Sequence, residues 1–266
     1  MITKLMIFLP ISLIILKKCG GVMLKVKVTP NYNGFTIFGD YEDLNYLYDA
    51  FMYFLHDDFD EINHYYIENV IYALLYDIRH AYQGDREAIL VDNNIDTDEK
   101  RNWLNIKKKD ATNNNVYYSF NIIVTELITT MVAMKCIIET YGREGKQKVN
   151  ETYKNCIEFF YSLVLDALSE VVTPVRMNKI RKGIKNSFTV IDDFCNQWFY
   201  IATCDYVKLS KDKRLKEIVN ILDRIYNHRF YNEYYRLFKE IRDYAKEHNC
   251  PIGDIECCDY PEEIEW

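Results

Sequence analysis

The chain has 266 residues, 49% of them hydrophobic and 27% charged, with a formal net charge of -7. That length and apolar content exclude a wholly disordered chain and suffice for one large domain or two small ones with a sizeable core. The acidic balance excludes a protein coated in positive charge for generic nucleic-acid binding, which needs clustered Lys and Arg.

The 23 tyrosines carry no functional weight, because Tyr, Ile, Asn and Lys share A/T-rich codons and are all abundant here. The eight cysteines are spread along the chain. Cys136, Cys156, Cys195 and Cys204 fall in apolar helical stretches, where a thiol packs as a small hydrophobe. The expectation is reduced thiols in a bacterial-type cytoplasm, with no disulfide framework.

Residues 1–22 contain an apolar run from Leu5 to Leu16 bordered by Lys4, Lys17 and Lys18. The run is interrupted by Pro10 and Ser12 and falls short of the roughly 20 residues a membrane crossing needs. The lysines that follow, with no small-x-small site, are the wrong border for signal cleavage. Gly20-Gly21-Val22-Met23 can be encoded with a ribosome-binding GGAGG a few bases before an ATG. Residues 1–22 are therefore expected to be a translated leader or a short hydrophobic segment, and translation is expected to start at Met23. On that start no membrane partner is expected.

From Met23, LKVKV and FTIFG alternate with period two around the turn chemistry of TPNYNG and predict a hairpin. Asp40 is placed as N-cap of a helix from Tyr41 to about His56, with Leu44, Leu47, Tyr48, Phe51 and Leu55 on one face. A second helix runs from about Glu61 to Gln83 and buries Ile67, Val70, Ile71, Leu74, Leu75, Ile78 and Ala81. Gly84 suits the left-handed position after it, and EAILVD, Glu87 to Asp92, reads as a buried strand. A polar excursion follows to Asn115. VYYSFNIIV then alternates Val116, Tyr118, Phe120 and Ile122 on one side, and leads into a helix of about Thr125 to Tyr141. Further helices are expected over 146–171, which Pro174 stops, and over 177–185, 188–206, 211–227 and 231–248. The acidic tail 249–266 is expected to have little regular structure.

The fold class is α+β. A small N-terminal antiparallel or mixed sheet of about four strands, packed with helices (23–124), precedes a helical half (125–248), and together they form a single domain. The segments TPNYNGFTIFGDYEDLNYLYDAF, YYIENVIYALLYDIRHAYQGDRE and VYYSFNIIVTELI resemble a family of uncharacterised bacterial proteins classed as a domain of unknown function. The resemblance lies mainly over 23–125. It implies a bacterial protein starting near Met23 and implies no activity.

Asp77 and His80 lie one turn apart on the second helix, so Asp77 could orient the imidazole as a general base with Arg79 beside it, the setting of a hydrolase or nuclease. The competing reading is a helix end, where Arg79 and His80 meet the terminal carbonyls and the dipole. A second carboxylate-x-x-His pair, Glu61 and His64, has the ligand spacing of di-metal helix bundles. However, His64 and His80 are about 24 Å apart along one helix, so no metal site is assigned and no cofactor is expected. Arg176, Lys179, Arg181, Lys182 and Lys185 form a basic run that could meet nucleic-acid phosphates, masked or not by the acidic tail, or be a solvated face. His248, Cys250, Cys257 and Cys258 lack the usual zinc spacing. Arg242 to His248 matches a helical ribonuclease spacing that chance and helix capping also explain. With no complete catalytic set, the leading expectation is a non-enzymatic cytoplasmic protein acting through protein contacts, as a homodimer or with another protein. Nucleic acid is the less favoured partner.

Overall fold

Alternating apolar residues with turn chemistry between them build a sheet of four strands, β1 (Lys25–Val28), β2 (Gly34–Gly39), β3 (Glu87–Asp92) and β4 (Asn114–Ile123). The computed structural model describes residues 24–55, 64–92, 102, 114–144, 149–187, 194–261 and 263–266. Residues 1–22, Glu61 and most of the polar stretch before Asn114 lie outside these. The strand order is β1-β2-β4-β3 and every neighbouring pair is antiparallel, so the sheet is not mixed. The register sets Val26 opposite Ile37, Val28 opposite Phe35, Ile37 opposite Phe120 and Phe35 opposite Ile122. With side chains alternating along each strand, this puts one apolar face against the helices. Phe35, Ile37, Phe120 and Ile122 are buried there. Val116, at the far end of the same row, is 46% exposed.

Eight α-helices are described: α1 (Tyr41–Leu55), α2 (His64–Tyr82), α3 (Val124–Glu144), α4 (Glu151–Ser169), α5 (Pro174–Asn186), α6 (Cys195–Val207), α7 (Lys211–Tyr226) and α8 (Asn232–His248). Asp40 and Asp43 cap α1 reciprocally: the Asp43 N–H donates to Asp40 Oδ1 at 2.9 Å, and the Asp40 N–H to Asp43 Oδ2 at 3.3 Å. α4 begins at Glu151, later than its apolar period suggests, because the Asn150 side chain accepts from the N–H groups of Thr152 and Tyr153. Pro174, a stop for α4, also opens α5, where its missing N–H is no loss. Leu44, Leu47, Phe51, Ile71, Leu74 and Ile78 face inward as their spacing predicts.

One cluster of buried side chains runs from Leu24, just before β1, to Ile241 in α8. A fully buried Phe51 or Phe160 stabilises it by about 2–3 kcal/mol each. The hairpin turn is gripped from the helical half. Tyr206 Oη donates to the Tyr32 carbonyl at 2.6 Å, and Arg214 donates to the Asn31 carbonyl at 2.8 Å and to Val207 at 3.0 Å. These bonds give the buried Arg214 guanidinium acceptors that it would otherwise lack.

Two expectations are corrected. β3 is not a buried strand. It is an edge of the sheet, with Ile89 41% and Leu90 71% exposed, because it pairs only with β4 among the described residues. The tail has little regular structure, with one 3-10 turn (Ile252–Asp254) among its described residues, and it is docked on the fold. Asn33 Nδ2 donates to the Glu265 carbonyl at 2.6 Å, Gln197 Nε2 to Ile252 at 3.0 Å and Tyr260 Oη to Glu126 at 3.4 Å. The cysteines are not all reduced: Cys204 on α6 is disulfide-bonded to Cys258 in the tail, the one disulfide among the described residues.

Candidate functional site

The apolar stripe of α2 runs out at Ala81, and the chain reverses through Gly84 at φ +88°, a conformation that favours glycine. The Gly84 N–H donates to the Ala81 carbonyl at 3.0 Å and the Asp85 N–H to the His80 carbonyl at 2.9 Å, closing the helix end. This reversal lays Asp85 and Arg86 beside the last turn. His80 Nδ1 lies 3.0 Å from Asp85 Oδ2, and Arg86 Nη2 lies 2.8 Å from Asp77 Oδ1. Asp77 is therefore bonded to Arg86 and does not orient His80. The Asp77 carboxyl is held above its ordinary range by burial, which outweighs the opposing pull of Arg86. The His80 ring packs 4.1 Å from the Tyr76 ring, and the exposed Arg79 guanidinium lies 5.9 Å over the same tyrosine.

Asp77 also faces a group that periodicity did not mark. Glu126, in the first turn of α3, is pushed up to about 7, by burial first and in small part by Asp77. It accepts from Tyr260 Oη at 3.4 Å, and Tyr260 stacks on Tyr200 at 5.5 Å with 12° between the planes. The one cue in the sequence is a lone acid within the apolar stretch VTELI.

A second constellation escaped the spacing argument because its members are far apart in sequence. Cys195 Sγ lies 3.4 Å from His228 Nε2 and 3.5 Å from Tyr234 Oη, while His228 Nδ1 lies 3.1 Å from the Ile225 carbonyl. An imidazole oriented by a carbonyl beside a thiol has the parts of a base and a nucleophile. All three side chains are buried, at 0%, 2% and 2% exposure, so the thiol is closed to a substrate and the set acts as core packing.

On α5, Met177 and Ile180 are buried, Lys179, Arg181, Lys182 and Lys185 are exposed and Arg176 is half-buried. Arg181 reaches Asp166 at 3.4 Å. The tail's bonds to Asn33, Gln197, Glu126 and Cys204 fall on the hairpin turn, α3 and α6. No group of three or more His, Cys, Asp and Glu side chains that could hold a metal occurs among the described residues. The disulfide takes Cys258 out of the four tail residues weighed for zinc. His248 stacks on Tyr244 at 3.9 Å at the end of α8, and Arg242 lies 5.4 Å over Phe238 within the same helix.

Beside the outer end of β4, an open cleft of about 440 Å³ is lined by Asp40, Tyr41, Glu42, Asn114, Asn115, Val116 and Tyr118. Below it Asp43 is pushed up to about 6, by burial and then by Asp40. Val116 and Tyr118 connect this cleft to the exposed residues of β3, since they pair with Leu90 and Ala88.

A four-stranded antiparallel sheet of order β1-β2-β4-β3, packed with helices and followed by a helical half, defines an α+β protein. The chain belongs to the family described as Domain of unknown function (DUF6904), whose model matches residues 24–266 and so takes in the helical half and the tail as well as the segments that carry the resemblance. No curated protein and no solved structure matches it. No helix among the described residues is long and apolar enough to cross a membrane.

Proposed function

We propose that the protein works through protein contacts made on the β3 edge of its sheet. The observation that carries this reading is the apolar run Ala88-Ile89-Leu90-Val91 on an edge strand, with Leu90 71% exposed. An edge strand offers a row of backbone donors and acceptors to another chain, and apolar side chains on it add area to that contact. The separate pairing of Asp77 with Arg86 and of His80 with Asp85 supports contact over catalysis at the end of α2. In this reading residues 23–248 act as one domain, supported by the continuous core from Leu24 to Ile241. A photo-crosslinking residue at position 90, compared in the cell with one at the exposed Tyr244 of α8, tests the idea. A protein adduct specific to position 90 is expected, and its absence overturns the reading.

The reading also puts the protein in a bacterial cytoplasm. That most of the described cysteines form no disulfide agrees with a reducing compartment, and the Cys204–Cys258 pair weighs against it. Alkylation of thiols in acid-quenched, denatured whole cells, which reaches the buried Cys204 as well, decides between them. Modification of both Cys204 and Cys258 supports the cytoplasm, and protection of both overturns it.

A further inference from the structure

Helix α5 concentrates one sign of charge in a chain whose balance is the other. Its 13 residues hold Arg176, Lys179, Arg181, Lys182 and Lys185 and no acid, while the whole chain stands at -7. Burial of Met177 and Ile180 fixes which way the helix faces. At about 100° per residue this turns Asn178, Lys179, Lys182, Lys185 and Asn186 outward, and all five are exposed. The three lysines recur every third residue, so their stems leave the helix about 4.5 Å apart along its axis.

Arg181 has a carboxylate partner in Asp166 at 3.4 Å. Arg176, Lys179, Lys182 and Lys185 have no ion pair among the described residues. Like charges left unpaired on one helix face repel each other, and a polyanion laid along the face relieves that repulsion. The acidic tail is not that polyanion, since its bonds fall on the hairpin turn, α3 and α6.

The chemistry of the face separates the outside candidates. A helix that lies on a membrane turns bulky apolar residues to the lipid. On α5 Met177 and Ile180 are taken by the core, and Val175 is the one large apolar residue left exposed. Lysines with amides among them match a duplex, in which phosphates flank base edges that an asparagine side chain can read. The B-form major groove is about 12 Å wide and admits an α-helix, whereas the A-form major groove of duplex RNA is too narrow. Only residues 170–173 separate α5 from the end of α4 at Ser169. That is the connection length of helix-turn-helix units, in which the second helix enters the groove.

We infer that α5 is a binding face for duplex DNA, docked in the major groove with Lys179, Lys182 and Lys185 on phosphates and Asn178 and Asn186 toward base edges. This face is distinct from the β3 edge, and its test is independent of any contact made there.

The full chain is to be titrated into a fluorescent DNA duplex of mixed sequence and about 30 base pairs, read by anisotropy. With about four phosphate contacts, affinity is expected to fall roughly a hundredfold between about 50 and 200 mM salt. Lys179→Glu/Lys182→Glu is expected to weaken binding by about tenfold or more, with an unchanged circular dichroism spectrum. Lys182→Gln, a milder change, is expected to reduce the salt slope by about one. Lys239→Glu/Lys246→Glu alters the net charge equally at exposed positions of α8 and is expected to leave affinity within about twofold. No binding to the duplex at the lowest salt, an unchanged slope in Lys182→Gln, or an equal loss in the α8 variant overturns the inference. Tighter binding to single-stranded DNA, to duplex RNA or to anionic lipid vesicles assigns the face to that polyanion and overturns the duplex DNA reading.

Discussion

His80 sits one turn from Asp77 and bonds elsewhere, because Gly84 turns the chain back and brings Asp85 and Arg86 within reach of that turn. Helical spacing tells which residues share a side; it cannot tell which partner each takes once the chain reverses. As a residue of a helix end, His80 is expected to matter little: His80→Ala lowers stability by less than about 1 kcal/mol, the range for exposed pairs. Gly84→Ala forces a Cβ into the left-handed region and is expected to cost about 1–2 kcal/mol. Urea denaturation of both variants measures the contrast. Glu126 carries a prediction about pH. Its folded value of about 7 stands above the ordinary 4.5, so the folded state holds the proton more tightly. Its contribution to stability is complete below about pH 4.5 and is lost as pH rises through 7. Glu126→Gln keeps an acceptor for Tyr260 and removes the charge. Its melting temperature is expected to fall less than the wild type's between pH 5 and pH 8, as a thermal scan at each pH would show.

For whole elements, amphipathic period is the reliable guide and apolar content the misleading one. The inward faces of α1, α2 and α4 follow their spacing, since a helix with one apolar stripe has one way to bury it. EAILVD reads as buried because a continuous apolar run describes a strand's composition and not its place in the sheet. Sheet order puts it at the edge. The basic helix α5 is legible as a face, but its closing contact is not. Lys135, from α3, donates through Nζ to the Lys185 carbonyl at 2.7 Å, to Ile184 at 3.3 Å and to Ser187 Oγ at 3.4 Å. A cation bonded to the last carbonyls of a helix complements its dipole. Lys135→Met is expected to lower stability by about 1–2 kcal/mol and to speed amide exchange in the last turn of α5. Stability unchanged within error would remove Lys135 from that role.

For the molecule as a unit, the tail is a strap over the hairpin turn, α3 and α6, tied by Cys204–Cys258 across 54 residues of sequence. Closing a loop of that length restricts the unfolded chain, so with the disulfide formed in the purified protein Cys258→Ser is expected to cost about 2–4 kcal/mol. Hydrogen exchange in residues 249–266 is expected to rise in the variant while β2 and β4 stay protected; an unchanged tail would assign its docking to the hydrogen bonds and aromatic stacking alone. The positions of the helices, the hairpin and Gly84 were readable from residue order, because caps, turns and hydrophobic periods act over a few residues. Strand order, the exposure of β3, the partners of Asp77 and His80, the Cys195–His228 contact and the docking of the tail came only with the folded chain. Each depends on groups that local preference does not bring together, and their meeting is set by how the chain reverses and the core packs. An acidic, proline-bearing tail looks the same in sequence whether or not a cysteine on α6 is waiting for it.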